Sequence, residues 1–153
     1  MKFTSFAFLL VAITCLSAVS ATWQQVCGSN VCGVGQVCVC RDGVSNCVLL
    51  DQCHDIAIVQ TIERTWEENG VPFTLYRVHV VNYAPMTLQQ IVIETDCTLN
   101  PRDNNSVWNI IYDHGYFLLP QYAQGIKPGQ TFTFGYIDHG RVAPNLFIKA
   151  LTY

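Results

Sequence analysis

Thr131-Phe132-Thr133-Phe134-Gly135-Tyr136-Ile137 puts an aromatic ring at every second position, with Thr and Gly between. A period of two marks a strand with one buried face, because successive side chains of a strand point to opposite sides. Tyr76, Val78 and Val80 alternate in the same way with Arg77 and His79, and Ile91 and Ile93 with Gln90, Val92 and Glu94. Leu146, Ile148 and Ala150 form a last strand, and residues 56–66 an early one. The early strand runs through Glu67-Glu68-Asn69-Gly70 towards Tyr76, a hairpin signal whose loop reads as longer than two residues. Turns recur at Tyr83-Ala84-Pro85, Asn100-Pro101-Arg102, Lys127-Pro128-Gly129 and Ala143-Pro144-Asn145. Short strands so punctuated, with no helical period, predict an all-β fold: an antiparallel β-sandwich over residues 55–153.

Upstream the composition changes. Cys27, Cys32, Cys38, Cys40, Cys47 and Cys53 crowd one short segment, whereas residues 54–153 contain only Cys97. Residues 22–54 hold too few apolar side chains for a core, so covalent bridges must hold this small module together. Spacing does not choose among the possible pairings. A metal site is the rival reading, but no His precedes His54, and an exported chain disfavours free thiolates. Export itself is read from Lys2, the apolar run from Phe6 to Val19, and the small residues Val19-Ser20-Ala21. That run is shorter than the roughly 20 residues of a membrane span. Residues 1–21 are therefore expected to be cleaved, leaving a secreted, extracellular chain with no membrane attachment.

The whole chain has 8 Lys or Arg against 11 Asp or Glu, a net charge of −3, and only 12% charged residues. Scattered positive charge excludes the basic patch that nucleic-acid binding needs. Half the residues are hydrophobic, which excludes a disordered tail.

Catalysis would require titratable groups that converge. The candidates are Asp113-His114-Gly115 and Asp138-His139-Gly140. Adjacent residues on a strand face opposite ways, and Asp beside Gly is ordinary turn chemistry, so neither reads as an acid–base pair. Glu63, Glu67, Glu68, Glu94 and Asp96 could pair as glycosidase carboxylates, yet a small sandwich has little material for a cleft. No Gly-x-Ser-x-Gly is present, and Cys97 has no evident activating partner. The chain reads as a binder that needs no cofactor and no metal.

Residues 55–153 carry 14 aromatics: two Trp, seven Tyr and five Phe. Phe132, Phe134, Tyr136 and Phe147 suit a core. Trp108, Tyr112, Tyr116 and Tyr122 instead fall in residues 104–124, a stretch rich in Asn, Asp, Gly, Pro and Gln that reads as surface loop. Rings in such places serve as platforms: a sugar stacks its C–H face on the ring, and polar neighbours reach its hydroxyls. Asn104-Asn105-Ser106 is an N-glycosylation sequon in the same stretch. Cys97 leaves an odd thiol count after export, which fits first a buried small hydrophobe, and otherwise a partner that leaves one amino-terminal Cys free or an intermolecular cross-link.

Five blocks carry a resemblance: Tyr76-Arg77-Val78-His79-Val80-Val81-Asn82, Val107-Trp108-Asn109, Tyr116-Phe117-Leu118-Leu119-Pro120-Gln121-Tyr122, Ile126-Lys127-Pro128-Gly129-Gln130 and Phe132-Thr133-Phe134-Gly135-Tyr136-Ile137. In order and spacing they resemble the family 49 carbohydrate-binding modules of plant endoglucanases and of secreted cellulose-binding proteins of social amoebae. Thr65-Trp66-x-x-Asn69-Gly70 is similar to the hairpin of the amoebal forms. The resemblance implies a sandwich that adsorbs to cellulose, or a related β-glucan, without cleaving it. Its aromatic platform maps onto Trp108 and Tyr122, then Trp66 and Tyr116, with Tyr112 a further candidate. Tyr122 stands where the plant pattern has Trp, and residues 96–105 are longer and more polar than that pattern. The cysteine run resembles follistatin-like or EGF-like modules, which implies contacts with other extracellular matrix or coat proteins.

Overall fold

Two-residue turns set the strand registers in the computed structural model, which describes residues 25–153. The export signal expected at residues 1–21 lies outside the described residues. Asn69 and Gly70 both have positive φ and join strand β5 (Ile56–Glu68) to β6 (Val71–Asn82), with Glu68 opposite Val71. This turn is tighter than the sequence suggested, because Asn-Gly at positive φ matches the right-handed twist of the flanking strands. Asp42-Gly43 does the same between β3 (Gln36–Arg41) and β4 (Val44–Leu49). His114-Gly115 joins β9 (Ile111–Asp113) to β10 (Tyr116–Leu118). The remaining strands are β1 (Gln25–Cys27), β2 (Asn30–Cys32), β7 (Gln90–Thr95), β8 (Val107–Trp108), β11 (Thr131–His139) and β12 (Leu146–Thr152).

The chain is a β-sandwich. One sheet runs β5-β6-β11-β8, the other β4-β3-β12-β7-β10-β9, and β1-β2 is a separate ribbon. Every described pairing is antiparallel except β12 with β3, where Ala150 lies opposite Cys38. The cysteine-rich segment thus continues the six-stranded sheet through β3. Between the sheets Tyr76, Val78, Val80, Ile91, Ile93, Phe117, Phe134 and Tyr136 are fully buried. Phe117 packs 5.1 Å from Phe134 and 6.0 Å from Tyr136, centroid to centroid. Each such side chain contributes roughly 1.5–3 kcal/mol by leaving water.

The alternation read for the last strand breaks at a bulge between Ile148 and Ala150. An extra residue there reverses the facing, so Leu151 enters the core while Ala150 turns out to pack on the cystines. Residues 104–124 also contain β8, β9 and β10, strands too short for a period to register.

Two disulfides, Cys27–Cys38 and Cys32–Cys47, staple the β1-β2 ribbon to β3 and β4. Sulfurs of Cys27, Cys32 and Cys38 lie within 4.8 Å of one another, as a consequence of these bonds rather than of a metal site. Cys40 and Cys53, expected as disulfide candidates, are unpaired among the described residues. Cys40 shares the outward face of β3 with Cys38, whereas Cys53 packs against the core beside Val39 and Arg41, on the opposite face. Cys97, expected to be buried, is exposed. It follows the Thr95 end of β7, while Cys40 aligns with the Gln90 end, roughly 20 Å away along the strand.

Candidate functional site

The outward side of the four-stranded sheet follows from register. Tyr76, Val78 and Val80 of β6 point inward, so Arg77 and His79 point out. Gly135 of β11 lies opposite Arg77 on one side and Trp108 on the other, which places Trp108, Gly135 and Arg77 in one outward row. The Trp108 indole lies flat over Gly135: a β-carbon there would stand 2.6 Å from Cε2 and 2.9 Å from Nε1. Glycine in mid-strand is what lets the ring come down onto the backbone. The indole keeps 41% of its residue surface exposed.

Tyr122 is brought to the same place by the one-turn 3-10 helix Gln121–Ala123, whose preceding Pro120 is buried. It is 66% exposed, and its hydroxyl donates to Asn109 Oδ1 at 2.6 Å. Asn109 in turn donates from Nδ2 to the Thr133 carbonyl. Arg77 holds Glu63 at 2.5 Å, and His79 meets the Thr133 hydroxyl at 2.9 Å. Glu63, Arg77, Trp108, Asn109, Thr133 and Gly135 line a shallow hollow of about 170 Å³. It offers one ring, an ion pair and amide and hydroxyl groups, with the Tyr122 ring outside the lining but tethered to Asn109. A flat ring with amide and hydroxyl groups at its edge suits the C–H face and the hydroxyls of a sugar.

The other expected platform residues do not join them. Trp66 aligns with Phe73 at the far end of the same face, stacked at 6.0 Å, and its Nε1 donates to Glu68 at 2.8 Å. Tyr116 faces out from the six-stranded sheet, its hydroxyl 3.4 Å from Glu94. Tyr112 packs at 4.9 Å on the buried Phe117, closing the sandwich edge while staying partly exposed. Asn104 is exposed in its loop, and Ser106 of the sequon is buried.

The catalytic candidates are dispersed. Asp138 is buried and accepts from the Asn100 N–H at 2.6 Å, while His139 faces the other way, against Phe73. Burial pushes the Asp138 carboxyl above its ordinary range, and Tyr136 beside it is raised for the same reason. Asp113 and His114 form a turn at the surface. Glu63, Glu67, Glu68 and Glu94 pair separately with Arg77, Arg141, Arg102 and Lys149. Asp96 is held below its ordinary range by hydrogen bonds from Thr98 and Asn145.

Residues 56–139 match the model of the carbohydrate-binding domain CBM49. The chain belongs to the CBM49 family. The match contains the whole Trp108–Tyr122 hollow. Two proteins of Dictyostelium discoideum are similar beyond the CBM49 segment. Stalk-specific protein B is 34% identical over 97% of this chain and 99% of its own length. Stalk-specific protein A is 32% identical over the same shares. The cysteine-rich segment is thus part of the shared sequence, outside the CBM49 match. Sequence reading singled out Trp108 and Tyr122 but not Gly135, Asn109 and Arg77, which line the hollow with Trp108. A glycine inside a strongly alternating strand was the available signal, since it marks a close approach to the backbone.

Proposed function

We propose that this is a secreted, non-catalytic protein that adsorbs to cellulose or a related β-glucan through the Trp108–Tyr122 face. In this reading it serves in assembly of an extracellular matrix or coat, and the cysteine-rich segment meets other proteins there. The observation that carries the reading is the exposed indole lying flat on Gly135 within a carbohydrate-binding domain. The relatives' description as stalk-specific supports a structural setting. Exposed Val26, Val31 and Val44 support the protein contacts of the cysteine-rich segment. The sequon supports an N-linked glycan at Asn104.

Energetics favour a polymer surface over a single sugar. Two rings stacked on one face supply together roughly 1.5–3 kcal/mol gross, from which lost rigid-body freedom is subtracted. A glucan surface offers many overlapping registers, and linked contacts raise the effective affinity.

Sedimentation with microcrystalline cellulose tests the reading. The protein should leave the supernatant with the solid; protein that stays in solution refutes it. Steady turnover of chromogenic glycosides, lost in Asp138→Ala, would refute the non-catalytic part.

A further inference from the structure

A second aromatic row crosses the opposite side of the molecule. Tyr116, Glu94 and Phe147 lie opposite one another on β10, β7 and β12, all facing out from the six-stranded sheet. Phe147 is 43% exposed although its neighbours Leu146 and Ile148 pack into the core. Lys149 sits at the bulge of β12 and holds Glu94 at 2.9 Å, and the Tyr116 hydroxyl reaches the same carboxylate from the other side. The turn Gly33, Val34 and Gly35 between β2 and β3, with Gln25 of β1, forms the facing wall. Together they enclose an open cleft of about 400 Å³, lined by Phe147, Glu94 and Lys149 below and by Gln25 and Val34 above.

We propose that this cleft is a second saccharide site, taking a short stretch of a neutral glucan chain. The proposal rests on the glucan-binding reading above. Phe147 offers a ring face for the C–H side of a sugar. Glu94 accepts and Lys149 donates, so hydroxyls of either polarity find a partner. The ion pair cancels the net charge, which suits a neutral chain over a charged one. Glu94 lies inside the matched segment 56–139 and Phe147, Lys149 and Val34 outside it, so the site is built jointly by the CBM49 domain and the cysteine-rich segment rather than by the match alone. Because the two faces lie on opposite sheets, one molecule would bridge two chains or two crystallites.

Bridging is read with cellulose nanocrystals in suspension, by light scattering, and binding with cellohexaose by calorimetry. Wild type should clump the nanocrystals. Phe147→Ala should still adsorb to cellulose through Trp108 but lose the clumping, with affinity of the second cellohexaose site falling roughly fivefold or more. Val34→Arg, at a side chain 95% exposed and so harmless to folding, should impair clumping in the same way. Clumping and a second binding event unchanged in both variants, or no second event in wild type, overturn the proposal and leave the Trp108 face standing. Loss of adsorption confined to Trp108→Ala tests that face alone, so the two failures are separable.

Discussion

The Tyr122 hydroxyl donates to Asn109 Oδ1 at 2.6 Å, and that bond fixes a loop ring beside the strand-borne indole of Trp108. Asn109 is also anchored to the Thr133 carbonyl, so the tether runs from the loop into β11. A ring held in place loses less freedom on binding than one on a free loop.

Tyr122→Phe keeps the ring and removes the tether. Folding stability should change by under about 1 kcal/mol, since the bond lies at the surface. Adsorption to cellulose should weaken by roughly threefold, measured as a binding isotherm. An unchanged isotherm would show that the ring needs no orientation.

Gly135→Ala tests the floor beneath Trp108. The position lies outside the left-handed region, so alanine suits its backbone, but the new methyl group occupies the space of the indole. The ring must lift. Adsorption should fall nearly as far as in Trp108→Ala, while the melting temperature moves by only a few degrees, on the order of 1 kcal/mol. Normal adsorption by Gly135→Ala would mean that a flat indole is unnecessary.

Asn82 is buried and holds three backbone groups: it donates to the carbonyls of Met86 and Ile126 at 2.8 and 2.7 Å and accepts from the Ala84 N–H at 2.9 Å. Asn82→Ala strands the buried Ala84 N–H and takes a donor from the Met86 and Ile126 carbonyls, the latter keeping the Leu88 N–H. Urea unfolding should show a loss of about 3 kcal/mol. A loss below about 1 kcal/mol would show that water enters and replaces the side chain.

Asp138 gives a pH dependence of definite sign. Burial holds its pKa above the ordinary value of 3.8, so the folded chain favours the protonated acid. The stabilisation is fully present below that ordinary value and is lost as pH rises through the folded pKa. Asp138→Asn does not titrate. The stability of wild type relative to Asp138→Asn should therefore decline as pH rises from about 3 towards neutrality and then level off. Parallel melting curves over that range would contradict the assignment.

The long strands were legible because burial imposes a period on their side chains, as in Tyr76–Val80 and Phe132–Tyr136. Ala150 and Leu151 show where that logic stops: the bulge of β12 exchanges their faces, and nothing local in the sequence announces it. The short strands β8 and β10 owe their form to β11 and β7, distant in sequence, and β9 is the three-residue edge strand added to β10, so all three read as loop. Trp108 and Tyr122 stood out as rings in polar surroundings. Tyr116 looked equivalent in sequence, yet its place opposite Glu94 sends it to the other side of the sandwich. Cysteine spacing gave a stapled segment but no pairing, because Cys40 and Cys53 are separated by the strand between them, not by their distance along the chain.

The most direct test is an adsorption isotherm on microcrystalline cellulose for wild type and Trp108→Ala, with circular dichroism confirming that both are folded. Removing an indole stacked on one face should lower the partition coefficient by roughly five- to tenfold. Equal partition of two folded proteins would contradict the assignment of the binding face to Trp108.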